Sequence, residues 1–178
     1  TQFSTKQLTE IIMAVEIRQV QDKSELKRFV QFGNELYKKN PYHVPMLIDD
    51  ELGTLDKDRN PAFEFCEAAY FLAYRNGRVV GRIAGIINHR ANETWNQSNA
   101  RFGFLDFIND NAVVDALFEV VENWARSKGM EMLQGPMGFT DMDKEGMLIE
   151  GFDQLGTMST IYNYAYYPKQ LERLGFVK

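Results

Sequence analysis

Arg75-Asn76-Gly77 separates two apolar runs, residues 68–74 (AAYFLAY) and 78–88 (RVVGRIAGIIN). Asn-Gly tolerates positive φ at both centre positions of a tight turn, so this stretch predicts an antiparallel β-hairpin. Both runs are apolar and strand-like. Gly81 and Gly85 fall on one side of the second strand, where a missing side chain would admit another backbone or a ligand.

The rest of the chain is arranged around this hairpin. Val15, Ile17 and Val20 suggest a short first strand. Asp22 and Glu25 have capping-box spacing, and Leu26, Phe29, Val30, Leu36 and Tyr37 then fall near one helical face until Asn40-Pro41. Pro45 is placed to open a second, short helix through Met46, Leu47 and Leu52. After the hairpin, residues 100–108 (ARFGFLDFI) read as another strand. Val113, Leu117, Val120, Val121 and Trp124 then make a helical stripe, with Gly129 as its left-handed terminator. Residues 130–134 (MEMLQ) follow as a strand parallel to the one before that helix, since a helical crossover joins parallel neighbours. Pro168–Leu174 predicts a last short helix before Gly175-Phe176.

With 178 residues the chain fits one domain. The expected division is an extension over residues 1–12 and a domain over 13–178, because Met13-Ala14-Val15 reads like a natural start. A net charge of −5 argues against a general nucleic-acid binder. Cys66 is the sole cysteine, which excludes an intrachain disulfide and favours a buried, inert thiol in a cytoplasmic protein. Asp141-Met142-Asp143-Lys144-Glu145-Gly146 resembles the start of a calcium loop, but position twelve is Phe152 instead of glutamate, so an acidic turn and no metal are expected. No apolar run is long enough to span a membrane. Six of the eight methionines lie between Met130 and Met158, as core filling or as an adaptable apolar surface. His89 and Arg90 follow the second hairpin strand, where a proton shuttle or an anion contact is conceivable.

This order of elements, together with FLAYRNGRVVGRIAGIINHRANE, GPMGFTDMDKEGMLIEGFD and YNYAYYPKQLERLGF, resembles the GNAT superfamily of N-acetyltransferases and its GNAT-like bacterial members. The resemblance covers residues 14–178. It implies an α/β (α+β) fold with a mixed, mostly antiparallel sheet flanked by helices and holding a central parallel strand pair. It also implies acetyl-CoA as co-substrate, a small-molecule amine as acceptor, and a gap between residues 104–107 and 131–134 for the pantetheine arm. Residues 108–113 would be the phosphate loop. Carried onto this chain, the cofactor residues are Phe104, Leu105, Phe107, Ile108, Asn109, Asn111, Ala112 and Val113, with Asn163 matching an asparagine ahead of the last helix. Glu150 would be the general base and Tyr167 the proton donor to the leaving thiolate.

Three departures accompany the resemblance. Ile108–Val113 contains no glycine to bare the backbone, and Asp110 would set a carboxylate beside a polyanion. Asn109 or Asn111 would then act as an ordinary helix N-cap. Leu171 stands where the family's tyrosine is usual, with Tyr166 and Tyr167 a turn earlier; a packed cluster of Tyr162, Tyr164, Tyr166 and Tyr167 is the alternative. Family members also continue into two more strands after Gly-Phe. A longer protein, a C-terminal partner domain or a homodimer would complete the sheet. A non-catalytic binding or assembly module with a degenerate CoA site is therefore the alternative to an acetyltransferase.

Overall fold

The computed structural model describes residues 14–178. The expected extension over residues 1–12 lies outside them. The first strand, β1 (Glu16–Gln19), leads to α1 (Lys23–Leu36) and α2 (Ile48–Leu55). The hairpin strands β2 (Cys66–Arg75) and β3 (Arg78–Asn88) follow, then α3 (His89–Trp95) and β4 (Asn99–Phe107). A long helix α4 (Asn111–Ser127), a short strand β5 (Met132–Gln134) and α5 (Tyr166–Arg173) complete the described chain.

The sheet order is β1-β2-β3-β4-β5, antiparallel up to β4 and parallel between β4 and β5. Asn76 and Gly77 both take positive φ in the turn, as the dipeptide requires. Asp22 Oδ1 accepts from the Glu25 N–H at 2.8 Å, while Glu25 reaches back to the Gln21 N–H at 2.7 Å. This reciprocal cap fixes the start of α1. The helix ends at Leu36, before Asn40-Pro41, and α2 starts at Ile48 rather than at Pro45.

Alternation along β2 sends Phe71 and Ala73 to one face of the sheet, and Leu72 and Tyr74 to the other. The first face packs on Val113, Val114, Leu117 and Val121 of α4, the second on Leu26, Phe29 and Val30 of α1. Two covered faces explain why both hairpin strands are apolar throughout. Gly81 and Gly85 admit neither backbone nor ligand. Leu117 and Val113 crowd the space beside Gly81, and the Trp124 ring lies against Gly85. The missing Cβ atoms let α4 settle close to the sheet.

Helix α3 follows β3 directly and is not among the elements expected from the sequence. Asn88 caps it through the Ala91 N–H at 2.8 Å, and His89 Nε2 lies 3.9 Å from Glu67 at its outer side. His89 consequently stays away from the cavity described below.

Candidate functional site

Strand β4 carries one extra residue against β3: Arg82 opposes Asp106, whereas Ala84 opposes Gly103. The bulge is taken up at Phe104, whose φ of +47° is unusual for a residue with a bulky side chain. Beyond the bulge β4 also loses its other neighbour. Its parallel pairing with β5 spans only Asn99–Arg101 against Met132–Gln134, and Met137 N–H still reaches Phe102 O at 2.8 Å. Residues 131–134 are therefore not one arm of the gap. They pair with the start of β4, and the chain after Gln134 forms the far wall.

That wall runs from Gly135 to Asn163 without a helix or strand, yet it is tied down at several points. Phe139 is buried, and its carbonyl accepts from Asn88 Nδ2 at 2.9 Å and from Arg101 at 3.0 Å. Cys66 Sγ lies 3.8 Å from the same oxygen, and burial pushes its thiol up to about 11, which suits an inert, packed cysteine. Asn163, carried over as a cofactor residue, uses its amide to clasp Leu148, accepting from its N–H at 2.8 Å and donating to its carbonyl at 3.1 Å. Asp143 accepts from the Thr140 N–H, which closes the acidic turn. Among the described residues no cluster of three or more His, Cys, Asp or Glu side chains is arranged to hold a metal ion.

Between this wall, α1, α2 and the bulge of β4 lies a cavity of about 290 Å³. Its polar floor is formed by residues far apart in sequence. Arg82 donates to Asp106 at 2.8 Å, to Glu51 at 2.5 Å and to the Phe29 carbonyl at 3.0 Å. Burial by itself would lower the Arg82 pKa, but Glu51 and Asp106 outweigh it, so the guanidinium stays charged. Tyr37 and Tyr167 sit beside this triad, their hydroxyls 2.7 Å apart and each within reach of Asp106 Oδ1, at 2.9 and 3.1 Å. Burial, then the Asp106 charge, holds both phenols well above their usual range, so both keep their protons.

The walls are apolar, with Val44, Met46, Phe104, Leu105, Met137 and Met147 among them. His43 stacks on Tyr37 with ring centroids 4.6 Å apart, and its ring has no hydrogen-bond partner among the described residues. Burial, followed by the Lys144 and Arg82 charges, lowers its pKa, leaving a neutral imidazole at neutral pH. Nothing in the local sequence marks His43, Glu51 or Asp106; only the approach of α1, α2 and β4 brings them together. Glu150 is exposed and does not line the cavity, whereas Tyr167 forms part of its floor.

Toward α4 the strand edge is closed by the protein itself. Phe107 N–H donates to Tyr167 OH at 3.1 Å, and Tyr166 OH donates to Phe107 O at 2.6 Å. The Phe107 and Tyr167 rings stack at 4.1 Å. Ile108 N–H turns to Val80 O. Neither Asn109 nor Asn111 caps α4: Asp110 does, accepting from the Val113 N–H at 3.2 Å. Arg75 grips the same carboxylate at 2.6 and 3.1 Å, and this bond, helped by the helix amides, outweighs the upward pull of burial and sets its pKa below the usual carboxylate range. Asn109 and Asn111 instead accept from Gln170 Nε2 on α5, at 3.2 and 2.9 Å. Ala112 is exposed in the first turn and Val113 is buried in the core. These residues do not fit a CoA pyrophosphate, because the position it would occupy already holds a carboxylate.

The overall arrangement of sheet and helices is similar to that of solved structures. One is a tandem GNAT protein from the clavulanic acid biosynthesis pathway, solved without acetyl-CoA, with a TM-score of 0.59 and 14% identity. The match covers 91% of this chain and 43% of that one. The fold is that of a GNAT-like N-acetyltransferase. A predicted acetyltransferase from Clostridium acetobutylicum, solved with acetyl-CoA, has a TM-score of 0.53 and 10% identity over 93% of this chain and 91% of that one. The five-stranded, mostly antiparallel GNAT-like sheet with its parallel pair is thus the architecture expected from the sequence.

Two curated proteins are similar in sequence. Protein YghO of Escherichia coli strain K12 is 30% identical over 162 residues, 91% of this chain and 41% of that protein. A bacterial ceramide synthase of Caulobacter vibrioides is 31% identical over 160 residues, 89% of this chain and 42% of that protein. The GNAT-like chain spans about two-fifths of the curated relatives it matches. No family model matches it. Among its described residues no helix is long and apolar enough to cross a membrane.

Proposed function

We propose that this GNAT-like chain is the acceptor-binding domain of a protein that performs N-acyl transfer, and that its cavity takes an amine carried on an apolar chain. The observation that carries this reading is the charge of the cavity. Asp50, Glu51, Asp106 and Asp143 line it, against Arg82 and Lys144, so carboxylates outnumber cations around an otherwise apolar space. Such a lining attracts an ammonium group and repels a polyphosphate. An apolar wall with a polar end suits an amphipathic molecule rather than a free nucleotide.

The name of the Caulobacter relative supports the same class. A ceramide is an amide of a fatty acid and a long-chain amino alcohol, so making one is transfer of an acyl group to an amine. In the cavity His43 is a neutral imidazole with unengaged nitrogens, placed to accept the proton that an attacking amine loses as the amide bond forms. Tyr37 and Tyr167 keep hydroxyl protons at the floor and can orient a hydroxyl neighbouring the amine. The acetyl-CoA-dependent reaction implied by the resemblance belongs, in this reading, to the whole protein. The closed β4 edge makes this chain the acceptor side of it.

Calorimetric titration with a medium-chain amino alcohol, kept below its micelle concentration, tests the reading. Binding should weaken by about tenfold or more for the N-acetylated form, which has lost its charge. Equal affinity for the two forms, or no heat with either, sinks it.

A further inference from the structure

We infer that Asp110 is a built-in anion occupying the N-terminus of α4, and that this chain accordingly does not hold a donor pyrophosphate between β4 and α4. Three independent features converge there. The carboxylate of Asp110 takes the Val113 amide and both terminal nitrogens of Arg75. Gln170 bridges the asparagines on either side of it from α5. Tyr166 and Tyr167 hold the carbonyl and amide of Phe107, the backbone groups on the open edge just before the turn.

A helix N-terminus attracts phosphate because its first amides lack partners and its dipole is positive. Here the cap answers one amide and contributes a full negative charge. An incoming pyrophosphate would meet a like charge in a partly buried setting, where repulsion is poorly screened. It would also have to compete with Arg75, the nearest cation, which Asp110 already holds. Arg75 Nε is buried without a partner among the described residues. If the Asp110 charge were removed, the two terminal nitrogens that it now holds would be available to an external anion.

The test compares the unaltered chain with Asp110→Asn, using inorganic pyrophosphate and CoA as probes. Asparagine caps helices about as well as aspartate, so the substitution removes charge while keeping the cap. Asp110→Ser, a second capping residue, guards against a failure to fold. Amide hydrogen exchange over residues 107–113 should be unchanged by CoA in the unaltered chain. In either variant the affinity for pyrophosphate should rise by about tenfold or more. Protection of residues 107–113 by CoA in the unaltered chain overturns the inference. So does an unchanged pyrophosphate affinity in both variants. Neither readout involves the amine, so its failure is separate from that of the acceptor reading.

Discussion

Arg82 and Asp106 stand directly opposite each other on β3 and β4 and meet at 2.8 Å, both almost wholly buried. The Phe104 bulge puts Asp106 in this register, and Glu51 from α2 makes the pair a triad. Arg82→Ala would leave two carboxylates unpaired in the interior. Loss of one partner of a buried ion pair costs about 3–5 kcal/mol. Urea denaturation should show a loss of that order, and a change below about 1 kcal/mol would mean that the floor is far better hydrated than its burial indicates.

Tyr167→Phe keeps the ring stacked on Phe107 while removing the hydroxyl. The Phe107 N–H then has no acceptor and Asp106 loses a donor. A buried donor left unsatisfied costs about 1–3 kcal/mol. The thermal midpoint should fall, and exchange at the Phe107 amide should speed up; an unchanged amide would disconnect Tyr167 from the strand edge.

His43 gives the cavity a dependence on pH. Its folded pKa is depressed below the ordinary value of about 6.5, so the unfolded chain binds the proton more readily. The contribution is fully present above the unfolded pKa and is lost as pH falls through the folded one. The Lys144 and Arg82 charges act on the same ring, the Tyr37 and Tyr162 phenols pack against it, and Glu51 lines the same cavity. Stability should decline below about pH 6.5, and His43→Phe, which keeps the stack, should flatten part of that decline. Histidine NMR titration reads the pKa itself, and only His43 and His89 need assigning. A His43 value at or above the ordinary one would contradict the burial.

Gly103 precedes the bulge, and a Cβ there would overlap the Met137 carbonyl where the far wall leaves β4. Gly103→Ala should cost about 1–3 kcal/mol, as overpacking does. The amine titration should weaken with it, because that wall bounds the cavity. A neutral substitution would show that the wall moves freely.

Much of the fold was legible in short stretches. Asn76-Gly77 announced its hairpin, the Asp22–Glu25 spacing its cap, and the Val113–Trp124 stripe its helix. The cap of α4 was not legible in the same way. Asn109, Asp110 and Asn111 are all good caps, and their order offers no choice among them. The selection came from Arg75, at the end of β2, thirty-five positions earlier. Helix α3 was hidden because His89–Trp95 carries no buried residue, so it leaves no apolar stripe to read. Glu150 looked suitable only by its place in the chain, and the wall turns it to the outside.

The cavity belongs to the same second class. Tyr37 follows the end of α1; Glu51, Arg82, Asp106 and Tyr167 lie on four further elements, and no periodicity links them. Tight turns and apolar helical faces follow from preferences that act across a few residues, so the sequence by itself determined the hairpin, the amphipathic helices and their order. The acidic pocket and the closed strand edge were decided only by the tertiary structure. Buried charges and unpaired backbone groups must find partners wherever packing brings them, and packing is set by the whole chain.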